Sequence, residues 1–298
     1  MKKKYIERLK NYIQKRKTLL CMGIDPDLEK MQANNPQLKI IHSVKQSLID
    51  YFLPLIELCQ KFLIAVKPNI AFFEQYGSEG LEALRVIIAE AKKLELLVIL
   101  DAKRGDIGNT SDAYAKACFD EFQCDALTLS PYLGYDSLLP FFKKASEHSG
   151  FVYVLIKTSN PGSNDFQNLN VEVTDKDGKM EKIPLYLAVA KSLKKWTADN
   201  PLVIGGVFGA THIREFLMYV KMFTPDSAFP LLVPGIGIQG GNLQDFIKTA
   251  KDQNFPLKML LFNSSRALIY NNSHPEKNYY ENAVLACTEF KREIEKYL

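Results

Sequence analysis

The densest group of reactive side chains in the sequence is LDAKRGDIGNT, Leu100 to Thr110. On an extended strand Asp101 and Lys103 are two residues apart and point to the same side. Asp106 follows after a glycine-containing turn. The spacing predicts an ammonium between two carboxylates, with Lys67 able to join from a neighbouring strand. Flanking carboxylates favour the charged lysine, so Lys103 is expected to remain protonated and act as an acid. A Schiff-base lysine needs the opposite surroundings, desolvation or a cationic neighbour. A purely structural salt-bridge network would use the same residue types, so position in the fold must decide between them.

A second group suits an oxyanion. VPGIGIQGGN, Val233 to Asn242, carries four glycines, and FNSSRA, Phe262 to Ala267, supplies Arg266. Glycines let backbone N–H groups approach a phosphate, and a guanidinium can grip it with two hydrogen bonds. Glycine loops alone also make plain turns; the pairing with Arg266 at the next strand end gives the reading its weight.

The elements that must position these groups are legible as alternation. Eight short apolar runs occur at Leu19–Ile24, Phe62–Val66, Leu96–Leu100, Ala126–Leu129, Val152–Ile156, Leu202–Val207, Leu231–Val233 and Met259–Phe262. Between them lie helix-periodic segments such as Leu81–Lys93, Ser111–Glu121, Leu185–Trp196 and Leu243–Lys251. Continuous apolar strands alternating with helices imply a parallel sheet buried on both faces. Eight such units predict a (β/α)8 TIM barrel, an α/β fold. A doubly wound open sheet would usually need fewer strands, and GIDPD after the first run is not the glycine fingerprint that fold would want. Almost every run ends in a polar cluster: Asp25, Lys67-Pro68-Asn69, Asp101 to Lys103, Ser130, Lys157-Thr158-Ser159, Gly235 to Gly237 and Asn263 to Arg266. Barrel enzymes place their chemistry at this carboxyl rim. The expected organisation is one barrel over residues 1–298. Residues 160–184 form an insertion, read as a β-hairpin about Asp177-Gly178 that is either a lid or decoration.

Composition narrows the function. The chain has 298 residues, 38 basic and 34 acidic, a net charge of +4, with 47% hydrophobic residues. That excludes disorder, and the absence of any apolar run of about 18 residues excludes a membrane span. So small and dispersed a charge does not call for nucleic acid. The basic start is read as an amphipathic helix with Tyr5, Ile6, Leu9 and Ile13 on one face, not as a signal peptide. Cys21, Cys59, Cys118, Cys124 and Cys287 form an odd, scattered set that suits a reducing, cytoplasmic compartment and no zinc site. His42, His148, His212 and His274 fall in no motif and are read as surface or helix residues.

LDAKRGDIGNT resembles the DxKxxDIxxT pattern of the orotidine 5′-phosphate decarboxylase family. Asp25, Lys67, the PGIGxQGG loop and Arg266 follow in matching order, and LSPYLG, KTSNPGS and the hairpin resemble its longer bacterial branch. The resemblance implies decarboxylation of orotidine 5′-monophosphate to UMP and CO2, the last step of de novo pyrimidine nucleotide synthesis, without cofactor or metal. It implies that Asp25 and Lys67 hold the ribose hydroxyls, Asp101 lies by the departing carboxylate, and Lys103 stabilises charge at C6 and delivers the proton. Ser159 would read the pyrimidine edge. Gln239 and Arg266 would hold the phosphate, with Pro234 and Ser265 beside them. Asp106, Ile107 and Thr110 would count among the site residues, Asp106 and Thr110 entering the other subunit's site in a homodimer. The family often has glycine where Ser265 stands, a position that needs only its backbone N–H. Two other functions remain open from the residues: a metal-dependent phosphosugar decarboxylase or synthase sharing the D-x-K-x-x-D core, and a catalytically silent nucleotide-binding barrel.

Overall fold

The computed structural model describes residues 4–38, 43–174, 178–200, 203–223, 228–237 and 241–298. Eight parallel strands close into a barrel: β1 (Leu20–Ile24), β2 (Ala65–Pro68), β3 (Leu97–Arg104), β4 (Ala126–Leu129), β5 (Phe151–Lys157), β8 (Ile204–Phe208), β9 (Leu231–Pro234) and β10 (Leu260–Ser264), with β10 pairing back onto β1. The wall is almost wholly buried, as apolar strands covered by helices require. Helices α2 (Leu28–Asn34), α3 (Val44–Cys59), α4 (Ala71–Glu74), α5 (Gly77–Lys93), α6 (Gly108–Lys116), α7 (Tyr135–Glu147), α8 (Leu185–Asp199), α9 (Ile213–Met222), α10 (Leu243–Asp252), α11 (Arg266–Ile269) and α12 (Tyr279–Glu295) connect or follow the strands. Most strands run past the apolar stretch that announces them. Lys67, Asp101 to Arg104, Lys157 and Asn263 to Ser264 are still strand, so polar side chains stand on the last residues of the barrel wall. The apolar run Leu202–Val207 begins at a residue outside the described set.

The amino-terminal helix α1 (Tyr5–Arg16) buries Tyr5, Ile6, Leu9 and Ile13, the face its periodicity predicts. It closes the barrel's amino end. Tyr5 stacks on Phe151 with ring centroids 4.9 Å apart, and its hydroxyl meets that of Tyr153 at 3.1 Å. Arg8 pairs with Asp125 at 2.6 Å, and Arg16 donates to the carbonyls of Leu63 and Leu94. Most of these contacts lie at or just before the starts of strands, so the carboxyl rim is at the opposite end of the barrel.

The insertion is a hairpin, β6 (Asn170–Thr174) paired antiparallel with β7 (Met180–Pro184). Gly178 takes φ +80°, as the turn requires; Asp177 lies outside the described residues. The hairpin is tethered at its base, where Leu185 N–H donates to the Leu169 carbonyl and Tyr186 N–H to that of Gln167. Among the described residues no helix is long and apolar enough to cross a membrane.

Candidate active site

The cleft at the carboxyl rim has a volume of about 220 Å³ and is lined by every strand end of the barrel. Its centre is Asp101. Lys67 donates to Asp101 Oδ2 at 2.5 Å, Lys103 to Oδ1 at 2.6 Å, and the Thr128 hydroxyl to the same Oδ1 at 3.0 Å. Burial alone pushes the Asp101 carboxyl up, but the two ammoniums outweigh it and hold the group well below the usual carboxylate range. Burial likewise disfavours the charged Lys67, yet Asp101 and Asp25 raise it above an ordinary lysine. One carboxylate is thus fixed as an anion between two cations. Lys103 differs from Lys67 in being open to the cleft, its side chain 50% exposed.

Local backbone geometry aims Lys103. The pairing of β3 with β4 shifts between Leu100 and Arg104, a bulge, and Lys103 takes φ +48°. A non-glycine residue in the left-handed region is strained by about 1 kcal/mol or more. Thr128 Oγ1 offsets this by accepting from the N–H groups of both Ala102 and Lys103 at 3.0 Å. The other left-handed non-glycine residues lie away from the cleft. Strain placed at the reacting side chain is what a pre-organised site looks like.

Asp25 reaches the cleft because the loop after β1 is tied down. Tyr270 hydroxyl donates to the Asp25 carbonyl and accepts from Asp27 N–H, both at 2.9 Å. Ser159, Pro234, Ser265 and Arg266 also line the cleft, so the strand ends named from sequence converge. Gly235 and Ile236 bring the loop after β9 to the same wall; Gln239 lies outside the described residues. Asp106, Ile107 and Thr110 do not join. Asp106 accepts from its neighbour Ile107 N–H at 2.8 Å, and Ile107 is 62% exposed. The expected ammonium between two carboxylates is therefore a carboxylate between two ammoniums, since the turn at Gly105 carries Asp106 off the cleft.

Asn69, Thr158 and Asn263, named from the sequence only as members of strand-end clusters, also line the cleft, as does Thr128, which the sequence did not single out. Thr128 had a signal, a lone polar residue inside a buried strand, whereas Ser130, read as the polar end of that strand, is not part of the lining. His212 has a role that its lack of a motif did not announce. It stands at the start of α9, the helix placement expected of it, but is largely enclosed, its Nε2 2.9 Å from the Thr158 carbonyl. His42 lies outside the described residues. Among the described residues no group of three or more His, Cys, Asp or Glu side chains is placed to hold a metal ion.

A closed parallel barrel whose charge network and glycine-lined loop meet at the carboxyl rim defines a (β/α)8-barrel enzyme with its chemistry at that rim. Residues 18–281 match the model of the orotidine 5′-phosphate decarboxylase / HUMPS family. The chain is 37% identical over 294 residues to an orotidine 5′-phosphate decarboxylase of Dehalococcoides mccartyi, covering 99% of this chain and 98% of that one. Among solved structures it resembles the OMP decarboxylase of Leishmania donovani, with TM-score 0.74, 33% identity and 98% of each chain covered. It also resembles the UMP synthase of that organism, with TM-score 0.79 and 32% identity, covering 99% of this chain and 56% of that longer one. The chain belongs to the orotidine 5′-phosphate decarboxylase family and is a carboxy-lyase.

Proposed function

We propose that the chain acts as a single barrel unit that converts orotidine 5′-monophosphate to UMP and CO2 in the cytoplasm, without cofactor, for pyrimidine synthesis. The observation that carries this reading is the Lys67–Asp101–Lys103 line, with Lys103 open to the cleft. Asp25 and Lys67 hold the ribose, Ser159 the pyrimidine edge, and Pro234, Gln239, Ser265 and Arg266 the phosphate. Asp101 stands beside the substrate carboxylate. The bond from C6 to that carboxylate breaks, CO2 leaves, and the electron pair stays on C6. The Lys103 ammonium stabilises that charge as it grows and then gives C6 its proton. A fixed cation acts more strongly on the developing carbanion than on the bound substrate, which is the condition for raising the rate.

Asp106, Ile107 and Thr110 serve the cleft of a second copy in a homodimer. Ile107 is exposed on the loop after β3. Tyr132 (87% exposed) and Leu133 stand on the adjacent loop after β4, an apolar rim that a partner would cover. The test is loss of substrate absorbance with EDTA present and no added metal. Conversion supports the reading; a requirement for metal favours a phosphosugar enzyme, and binding without conversion a silent barrel. Mixing equal amounts of Lys103→Ala and Asp106→Ala proteins tests the shared site. If subunits exchange at random, about a quarter of the sites are intact, so activity returns to roughly that fraction. No recovery, with exchange verified, rejects the shared site.

A further inference from the structure

Among the described residues, two oxygen acceptors enclosed at the cleft have no hydrogen-bond partner: Oδ1 of Asp25 and Oδ1 of Asn263. Asn263 is only 5% exposed, yet it lines the cleft. Its strand β10 pairs directly with β1, which leads into Asp25. Beside the Asn263 acceptor is Gly23 of β1. A Cβ there would come within 1.8 Å of the Ser265 hydroxyl and 3.3 Å of Asn263 Oδ1, so glycine is what lets both residues crowd against β1. Packing does not explain an amide at this place, because the wall positions on β8 and β9 that face the same cleft are Val207 and Leu232. A buried acceptor left unpaired is destabilising, and native structures keep few of them. One that faces a ligand cleft is resolved by a donor on the ligand.

The order of the strands says which donor. Around the barrel the sequence is β9, β10, β1, β2, β3. With the phosphate at the loops after β9 and β10, and the reacting carbon at Lys103 on β3, the sugar must cross β10 and β1. The donors a ribose carries are its hydroxyls. We infer that Asn263 is a further substrate-binding residue, whose side-chain carbonyl accepts from one ribose hydroxyl beside Asp25 and so makes the site select a ribonucleotide. This rests on the substrate reading above.

The experiment compares kcat/KM for orotidine 5′-monophosphate and its 2′-deoxy and 3′-deoxy analogues in wild type, Asn263→Ala and Asn263→Leu. The expected result is an approximately 10-fold fall for the ribonucleotide, mainly through KM, with no fall for the analogue that lacks the contacted hydroxyl. The preference over that one analogue then shrinks about 10-fold, while the preference over the other is unchanged. An equal fall for all three substrates, or no fall for any, overturns the inference. If Asn263→Ala does not fold, Asn263→Leu restores the volume without the acceptor and the same ratio decides. Wild-type protein that leaves the ribonucleotide unconverted overturns the substrate reading as well, a result visible before any variant is compared.

Discussion

Two lysines are enclosed at the carboxyl rim, and their surroundings are opposite. Lys67, at the end of β2, donates to Asp101, and the charges of Asp101 and Asp25 raise it above an ordinary lysine. Lys157, at the end of β5, is fully buried and donates to three neutral oxygens: Ser163 Oγ at 3.0 Å, Asn164 Oδ1 at 3.1 Å and Asn168 Oδ1 at 3.0 Å. Burial pushes it below an ordinary lysine, with only Glu215 opposing. The pairing of β5 with β8 shifts between Leu155 and Lys157. This bulge leaves Leu155 in the cleft lining and puts Lys157 under the loop 158–168. His212 and Gln167 fasten the same loop through the backbone and hydroxyl of Thr158. Gly209, where a Cβ would meet the Ser159 backbone at 2.8 Å, closes it from the other side. One wall of the cleft therefore holds fixed charges that act on a substrate. The other uses a buried charge as scaffold for the loop that carries Ser159.

The sharpest test of the charged wall is Lys103→Ala. Half-exposed and, among the described residues, paired only with Asp101, Lys103 contributes little to folding, so the thermal midpoint should barely move. Turnover should fall by at least about 10^4-fold, since both charge stabilisation and proton delivery are lost. Near wild-type turnover would mean that the wall is structural after all. Next in size is Asp101→Asn. It leaves Lys67 buried without its main counter-charge, at a cost of about 3–5 kcal/mol. Denaturant unfolding should show that loss, and kcat should fall with it.

The contrast also explains what could be read from sequence. Charged residues at strand ends are visible as breaks in apolar runs, so the barrel, the rim and the cluster Asp25, Lys67, Asp101, Lys103 and Arg266 were legible. The pleat rule placed Asp101 and Lys103 on one side but could not foresee the left-handed turn at Lys103 that aims it. Asp106 belongs to the same motif, yet a single glycine turn takes it away from the cleft, and no periodicity reports such a turn. Lys157 was visible as a polar strand end. Its orientation depends on a bulge, and its acceptors lie 6 to 11 residues along a segment whose regular structure is one short 3-10 helix, Pro161–Asn164. Neutral hydrogen-bond networks of this kind have no spacing signature.

Lys157→Met tests the scaffold wall and should be milder. Three oxygens lose their donor, at a total cost of about 1–3 kcal/mol, and the loop loosens. Hydrogen exchange in residues 158–168 should rise, and KM should increase by about 10-fold with kcat less affected. Lys157→Arg should recover part of the KM. A fall in kcat with KM unchanged would place Lys157 on the charged wall instead.

The smallest effect separates the two lysines by pH. Lys67 is raised on folding, so its stabilising contribution is complete below the ordinary lysine value of 10.5 and is lost only as pH climbs through the raised folded value. Lys157 is lowered on folding, so between its folded value and 10.5 the unfolded chain binds more protons. Stability from that residue therefore rises with pH across the interval. The difference in thermal midpoint between wild type and Lys157→Met should widen from pH 7 toward pH 10. The corresponding difference for Lys67→Met should stay level, because nothing about that pair titrates there. His212 is held below the ordinary imidazole value, chiefly by burial, so it is neutral across this interval and drives neither difference. Two differences that change together would show that the lysines share one electrostatic environment, and the division of the rim into a charged wall and a scaffold wall would fail.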